Sequence, residues 1–299
     1  MNPYLFIVGC PRSGTTLLRR MVDAHPRISI THETHWIPKL VDCPPADLPR
    51  VLAEHPRSAT LGIERRELEA LPHDSYTGFV EALFDHYGSV RGKPIVGDKV
   101  PGYVREIPLL HRLFPTARFV HLVRDGRDVV LSALDWERKA EDMRRRFPTW
   151  EEAPAATAAL WWRWNVLHGH RSGRELGPHR YHELRYEALV EDPERALKRL
   201  CEFLGVEFDD AMLRFHEGRT RHDPGLSAKK AWLPPTPGLR DWKSQMPHEH
   251  VEQFEAAAGD ALDALGYERA ASAPAPAPVA PAAALAAFPG VPLPEGWTA

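Results

Sequence analysis

One stretch decides the fold: Pro3-Tyr4-Leu5-Phe6-Ile7-Val8-Gly9-Cys10-Pro11-Arg12-Ser13-Gly14-Thr15-Thr16-Leu17-Leu18. Its first six residues are mostly apolar, which is typical of a buried parallel strand. Residues 9–16 form a glycine turn, and the apolar residues that follow lie on one face of a helix. Free backbone N–H groups and the positive end of the helix dipole converge at such a turn. The stretch therefore predicts an α/β fold with an anion site at its first turn.

The turn has the spacing of a P-loop but not its usual cation. Thr15 stands where the P-loop lysine would be, and Arg12 is the one basic residue of the turn. This difference argues against a magnesium-bound triphosphate and favours another phosphate-like group. A P-loop kinase or nucleotidase is disfavoured but stays open as an alternative.

Length, charge and cysteine content narrow the class of protein. A chain of 299 residues can bury one large α/β core, and a net charge of −3 gives no general attraction to nucleic acid or anionic membranes. Cys10, Cys43 and Cys201 are too few and too scattered for a disulfide framework or a metal site. The start has no basic segment followed by a long apolar run, so we expect neither a signal peptide nor a membrane anchor.

Four ordered blocks of sequence resemble the sulfotransferases that use 3′-phosphoadenosine 5′-phosphosulfate (PAPS), above all the tyrosylprotein sulfotransferases and their bacterial relatives. The first blocks are Pro11-Arg12-Ser13-Gly14-Thr15-Thr16-Leu17-Leu18, Asp23-Ala24-His25-Pro26, and Glu33-Thr34 with Ile37-Pro38. With the later blocks, the resemblance covers residues 3–268. It implies a P-loop-like three-layer α/β fold with a central parallel sheet flanked by helices. It also implies transfer of a sulfuryl group from PAPS to a hydroxyl acceptor, leaving adenosine 3′,5′-bisphosphate (PAP).

The resemblance assigns the nucleotide to two anion sites about one cofactor length apart. The first consists of Arg12, Ser13, Gly14, Thr15 and Thr16. The second consists of Arg124, after the apolar run 118–123, and Ser132, which match the pair that holds the 3′-phosphate. Arginine suits this task because its planar fork donates two parallel hydrogen bonds to phosphate oxygens. Further candidates for nucleotide contacts are Tyr186, Ser227, Lys229 and Lys230.

The candidate catalytic residues are Glu33, Arg12 and Lys99. From the residues alone, Glu33 could be a solvated loop carboxylate and Lys99 a surface lysine. The resemblance makes Glu33 the general base that takes the proton of the acceptor hydroxyl, and Lys99 a contact of the transferring group or the leaving oxygen. The reaction then needs no metal, because Arg12, Lys99 and the loop amides can stabilise the developing charge. A catalytically inactive nucleotide-binding protein is the second alternative.

Two departures from the tyrosylprotein enzymes leave the acceptor open. Those enzymes have an arginine at the position of His35 and another at the position of Trp136. Arg138 or Lys139 could substitute for the second arginine, or Trp136 could instead pack on a ring. A peptide tyrosine, a phenol, a sugar, a lipid hydroxyl or another small-molecule alcohol all stay open as acceptors. The sequence also leaves a homodimer open.

A third departure bears on location. Secretory members of the family have cysteines at the positions of Ile30 and Gly97, and their replacement suits a reducing cytoplasm. We therefore expect a cytoplasmic protein.

The domain organisation predicted is one sulfotransferase domain over residues 1–268 and an Ala/Pro-rich tail over 269–299. Within the domain, residues 42–92 read as a helical cap that shapes the acceptor pocket, and 141–150 as a lid-like connection. The composition of the tail predicts flexibility, although residues 288–297 could dock on the domain.

Overall fold

Five parallel strands form the centre of the fold, in the spatial order β2-β3-β1-β4-β5. Their bounds are β1 Leu5–Gly9, β2 Ile28–His32, β3 Ile95–Lys99, β4 Arg118–Val123 and β5 Tyr181–Arg185. In the central strand, Leu5 pairs with Gly97 of β3 on one side and with Arg118 of β4 on the other. The computed structural model describes residues 4–135, 137–217, 236, 238, 240–270 and 276–297.

Helices cover both faces of this sheet. Their bounds are α1 Thr15–Asp23, α2 Leu48–Glu54, α3 Arg65–Ala70, α4 Tyr76–Val90, α5 Ile107–Leu113, α6 Gly126–Leu134, α7 Glu137–Arg146, α8 Pro154–Glu175, α9 Tyr186–Glu191, α10 Pro193–Leu204, α11 Trp242–Gln245, α12 His248–Ala264 and α13 Pro281–Ala287. Within the described parts of the chain, no helix is long and apolar enough to cross a membrane.

The continuous apolar run of β1 is explained by burial on both of its faces. Leu5 and Ile7 belong to a core shared with α1 and α10, whereas Phe6 and Val8 belong to a core shared with α4 and α5. All four side chains are almost completely buried. This arrangement is the usual one for a parallel strand between two helical layers, and it confirms the predicted α/β fold.

Helix α10 shows how local sequence sets the element bounds. Asp192 caps its start by accepting a hydrogen bond from the Arg195 N–H at 3.1 Å, and Pro193 occupies the first turn. Gly205 ends the helix with a left-handed φ of 68°, a conformation that favours glycine. Both ends were therefore predictable from residue type alone.

The predicted cap over residues 42–92 holds three helices, but they have different places in the fold. Phe79, Leu83 and Phe84 of α4 are fully buried, and the ring of Phe84 contacts that of Tyr4, directly before β1, at a centroid distance of 5.2 Å. Helix α4 thus belongs to the layer against the sheet, which corrects its assignment to a cap. Its apolar residues recur every three to four positions, so one face can pack on the strands.

The lid-like connection predicted over residues 141–150 is wrong, because this segment is ordered and packed. Most of it belongs to α7, and Met143, Phe147 and Trp150 are buried in the core beside α8. These three residues are spaced by four and three positions, so they lie on the same side of the segment and pack against the apolar side chains of α8. The arginines between them are exposed and form ion pairs with nearby carboxylates.

The described part of the tail also differs from the flexible segment predicted by its composition. Val279, Ala284, Phe288 and Val291 are buried against the domain. The ring of Phe288 stacks on that of Phe147 at 4.8 Å. A few large apolar side chains are enough to fix this segment, although its average composition is rich in alanine and proline.

Candidate active site

The loop between β1 and α1 forms the tight turn that the sequence predicts. The Ser13 N–H donates to the Cys10 carbonyl oxygen at 3.1 Å, and Gly14 caps the helix with a φ of 94°. Arg12 also has a left-handed backbone, with a φ of 79°. Ser13 is fully buried, and its Oγ has no hydrogen-bond partner among the described residues. A helix N-terminus beside an unsatisfied hydroxyl fits the predicted anion site.

Tyr186 packs directly on this loop. A Cβ on Gly14 would lie 2.5 Å from the ring atoms Cδ2 and Cε2 of Tyr186, so a larger residue cannot replace the glycine without moving the ring. The guanidinium carbon of Arg124 lies 4.3 Å from the centre of the same ring, in cation–π geometry. Tyr186 therefore connects the loop to the second predicted anion site.

Arg124 lies between the end of β4 and the start of α6, and Ser132 lies in the last turn of α6. Arg124 is buried, its Nη2 donates to Asp128 at 3.3 Å, and its Nε has no partner among the described residues. Ser132 Oγ accepts a hydrogen bond from Arg12 Nε at 3.1 Å. The Arg12 side chain thus reaches from the first predicted site to Ser132 of the second.

Arg127 lies three residues after Arg124 but has a different task. It is 2% exposed and forms ion pairs of 2.8 Å with Asp125 and with Glu255 of α12. Its guanidinium also covers the ring of Trp242 at 3.6 Å. Arg127 thus ties α6 to the C-terminal helices, and Arg124 is the arginine of this run that lies on Tyr186, beside the loop of residues 9–16.

Glu33 and Lys99 meet where β2 and β3 end. Lys99 is fully buried, and its Nζ donates to Glu33 Oε1 and, at 3.3 Å, to Thr16 Oγ1. The strand register explains this contact, because His32 pairs with Lys99 and the Glu33 N–H donates to the Lys99 carbonyl oxygen at 3.2 Å. Glu33 and Lys99, two of the three predicted catalytic residues, thus form one chain of hydrogen bonds with Thr16 of the first loop.

The charge state of Glu33 follows from its neighbours. Burial alone would raise its pKa, but the hydrogen bond with His35 and the charge of Lys99 outweigh burial and hold the pKa well below its usual range. The Nε2 of His35 lies 3.3 Å from Glu33 Oε2. Glu33 is therefore an ionised carboxylate at neutral pH, with a partner on each of its two oxygens.

The backbone that carries Glu33 is strained. Glu33 and His35 have left-handed φ angles of 44° and 60°, which are costly for residues other than glycine. The loop is held by the buried Asp98, which accepts hydrogen bonds from Thr31 Oγ1 at 2.6 Å and Thr34 Oγ1 at 2.5 Å. In the described chain, the non-glycine residues with positive φ are Arg12, Glu33 and His35. All three belong to the candidate site.

Two residues of the site were missed by the sequence analysis. Asp98 had a signal, because it is a charged residue inside an otherwise apolar strand next to Lys99. Arg240 had none, since it lies in a segment of irregular sequence, yet it forms an ion pair with Asp135. Arg12 contacts Ser132 and Arg240 contacts Asp135, three positions further along the chain. Burial, followed by the charges of Arg240 and Arg124, lowers the pKa of Arg12.

Some predicted contacts lie outside the described residues: Trp136, Ser227, Lys229 and Lys230, and the side chains of Arg138 and Lys139. Among the residues that the structure describes, no group of His, Cys, Asp and Glu side chains is arranged to hold a metal ion.

The model of the sulfotransferase family matches residues 3–210, so the chain belongs to the sulfotransferase family. The predicted enzyme class, a sulfotransferase, is confirmed at this level. Protein-tyrosine sulfotransferase A of Caenorhabditis elegans is 27% identical over 286 residues, which cover 91% of this chain and 69% of that protein. The protein-tyrosine sulfotransferase of Drosophila melanogaster is 28% identical over 280 residues, and the match spans about half (53%) of its length. These relatives confirm the resemblance drawn from the sequence.

Solved structures agree with the fold. The sulfotransferase domain of the Synechococcus PCC 7002 olefin synthase superposes with a TM-score of 0.60 at 28% identity, over 89% of this chain and 95% of that domain. The sulfotransferase domain from the curacin biosynthetic pathway has a TM-score of 0.62 at 23% identity, over 90% and 99% of the two chains, and supports the fold alone.

Proposed function

We propose that this protein transfers a sulfuryl group from PAPS to the oxygen of a hydroxyl acceptor and releases PAP. The observation that carries the proposal is the chain of hydrogen bonds from Thr16 through Lys99 to Glu33. It joins a phosphate-loop hydroxyl, a buried cation and a carboxylate. In-line transfer needs these three parts: a holder for the donor, a cation for the leaving oxygen and a base for the attacking hydroxyl.

The residues around this chain supply the nucleotide contacts. Those at the 5′ end would be Arg12, Ser13, Gly14, Thr15 and Thr16, and those at the 3′-phosphate Arg124 and Ser132, with Tyr186 beside both and Ser227 and Lys230 as further candidates. Two buried groups, Ser13 Oγ and Arg124 Nε, support this assignment because neither has a partner among the described residues. A buried polar group without a partner is costly, and phosphate oxygens would satisfy both.

Glu33 is the proposed general base. Its ion pair with Lys99 makes it a weak base, because a bound cation stabilises the carboxylate. When Lys99 neutralises charge on the oxygen that leaves sulfur, its hold on Glu33 weakens and Glu33 becomes more basic. The acceptor oxygen then bonds to sulfur as the bond from sulfur to the phosphate oxygen breaks, and the acceptor proton passes to Glu33. The cationic side chains supply the charge that a metal supplies in phosphoryl transfer.

The acceptor class proposed is a hydroxyl compound, with a peptide tyrosine as the first member to test because the relatives named above are protein-tyrosine sulfotransferases. Phenols, sugars and other alcohols belong in the same panel, because His35 departs from the tyrosylprotein pattern. A cytoplasmic location stays a prediction from the sequence.

The test is transfer of sulfur-35 from labelled PAPS to a panel of tyrosine peptide, phenol, sugar and aliphatic alcohol. We expect labelled product with at least one acceptor class and tight binding of PAP. Tight PAP binding with no transfer to any acceptor would favour the inactive binding protein. Binding of ATP with magnesium in preference to PAP would favour the P-loop kinase and contradict the proposal.

A further inference from the structure

Helix α6 and the residue that caps its C-terminus carry three polar residues, Asp128, Ser132 and Asp135, spaced by four and three positions. Residues at this spacing lie on the same side of a helix. Each of the three contacts a different arginine: Asp128 contacts Arg124, Ser132 contacts Arg12, and Asp135 contacts Arg240. These three polar residues thus hold a row of three guanidinium groups that come from three distant parts of the chain.

Arg240 is held in this row by more than its own ion pair. Two residues later, the Trp242 N–H donates to Asp128 Oδ1 at 2.9 Å, while the other oxygen of Asp128 accepts from Arg124. The ring of Trp242 stacks on the buried guanidinium of Arg127. The segment that carries Arg240 is therefore fixed to the helix that carries Ser132, beside Arg124.

In the three contacts named above, three guanidinium groups meet two carboxylates, and Arg12 donates to the neutral hydroxyl of Ser132. Burial, followed by the charges of Arg240 and Arg124, lowers the pKa of Arg12, and a bound anion would offset these effects. A phosphate dianion would neutralise the excess and accept several of the N–H groups.

We propose that Arg240 is a third arginine of the 3′-phosphate site and that it leaves Asp135 to bind the phosphate. This inference rests on the proposed function, which gives Arg124 and Ser132 to the 3′-phosphate. Arg240 closes that site from the C-terminal side of the chain. Asp135, which is half exposed, keeps Arg240 in place before the nucleotide binds.

The experiment measures the dissociation constants of PAP and of adenosine 5′-monophosphate, which lacks the 3′-phosphate, by calorimetry on the full chain. The variants are Arg240→Ala, Asp135→Asn and their combination. Arg65→Ala is the matched control, because Arg65 is another arginine paired with one carboxylate, Glu69, away from the site. Thermal unfolding checks that each variant is folded, and Arg240→Lys replaces Arg240→Ala if the latter does not fold.

We expect Arg240→Ala to weaken the affinity for PAP about tenfold or more, the usual scale for one charge-assisted bond to phosphate. The affinity for the monophosphate should change less than about twofold. Arg240→Lys should lose part of this affinity, since it keeps the charge but not the planar fork. Asp135→Asn should leave PAP affinity unchanged or raise it, because it removes the competitor of the phosphate. The double variant should match Arg240→Ala, and Arg65→Ala should match the wild type.

If Arg240 only ties α6 to the C-terminal segment, Asp135→Asn will weaken PAP as much as Arg240→Ala does. That result, or equal losses for both nucleotides, overturns the inference. The wild type could bind PAP more tightly than the monophosphate, and Arg240→Ala could keep the same difference in affinity. This result would also overturn the inference, but it would leave the proposed function intact. A wild type that binds PAP no better than the monophosphate overturns both.

Discussion

At the proposed nucleotide side of the site, Arg124 and Ser132 lie on or directly beside regular elements, whereas at the proposed acceptor side Glu33 and His35 lie in an irregular loop. The first region is fixed by strand ends, a helix start and buried arginines. The second is fixed by a strained backbone that the buried Asp98 holds in place through Thr31 and Thr34. One side thus depends on the common architecture of the fold, and the other on a few local hydrogen bonds.

This difference indicates that the two regions have separate roles, one in binding the donor and the other in the reaction with the acceptor. A change on the nucleotide side should alter donor affinity, and a change on the acceptor side should alter the chemical step or the acceptor preference. The following predictions test that separation, beginning with the largest effect.

The largest effect is expected for Glu33→Gln. Glutamine can still accept the hydrogen bond from Lys99, but it cannot take a proton from the acceptor. The turnover rate should fall by about 10²–10⁴-fold, the usual contribution of a positioned general base. Affinity for PAP, measured by calorimetry, should stay within about twofold of wild type because a base acts in the transition state.

The opposite pattern would make Glu33 a brace of the loop. In that case PAP affinity and thermal stability would fall together in Glu33→Gln, while single-turnover rates with saturating donor would stay close to wild type. The boundary drawn here between the two regions would then be wrong.

The next effect concerns the free energy of unfolding, which should depend on Arg127 and not on the nearby Arg124. Arg127→Ala removes the partner of the buried carboxylates Asp125 and Glu255. Removing one partner of a buried pair typically costs about 3–5 kcal/mol, and we expect a loss of this size in urea unfolding. Arg65→Ala, at an exposed ion pair, should change the free energy of unfolding by less than about 0.5 kcal/mol. A loss below about 1 kcal/mol for Arg127→Ala would show that the tie to α12 matters little.

Arg124→Ala should act on binding instead. A charge-assisted hydrogen bond to phosphate contributes about 1.5–3 kcal/mol, so PAP affinity should fall roughly ten- to a hundredfold. Adenosine 5′-monophosphate has no 3′-phosphate, and its affinity should hardly change. Equal losses for the two nucleotides in a calorimetric titration would remove Arg124 from the 3′-site.

How far the sequence predicted this site depended on the same division. The glycine turn, the buried strands and the place of Arg124 after β4 follow from local patterns, because strand ends and helix starts determine where these groups lie. The contact of Glu33 with Lys99 follows from the β2–β3 register, which the order of strands along the chain does not reveal. Arg240 was missed because its place depends on long-range contacts through Trp242 and Asp135.

The packing of peripheral segments was the least predictable part of the fold. Average composition indicated a flexible tail, but Phe288 fills a gap beside Phe147 and Trp164. Such a contact depends on the shape of a surface that other segments create. A single large side chain can therefore decide the order of a segment whose composition predicts flexibility.

The smallest effect expected is a pH dependence of stability at Asp128, on the nucleotide side. Burial raises the pKa of Asp128 to about 6, although the charge of Arg124 and the Trp242 N–H favour the carboxylate, and Asp125 adds repulsion. Because the folded pKa exceeds the unfolded one, near 3.8, the contribution of Asp128 to stability is present at low pH and is lost as the pH rises through 6.

Asp128→Asn can keep the bond to Trp242 but does not titrate. Relative to that variant, the wild type should therefore gain about 1 kcal/mol in free energy of unfolding between pH 7 and pH 5. Histidines titrate in both proteins, so their effect cancels in the difference. A difference that stays constant with pH, or falls as the pH is lowered, would mean that Asp128 is fully ionised by Arg124, and the row of arginines would then have a permanent counter-charge that competes with the phosphate.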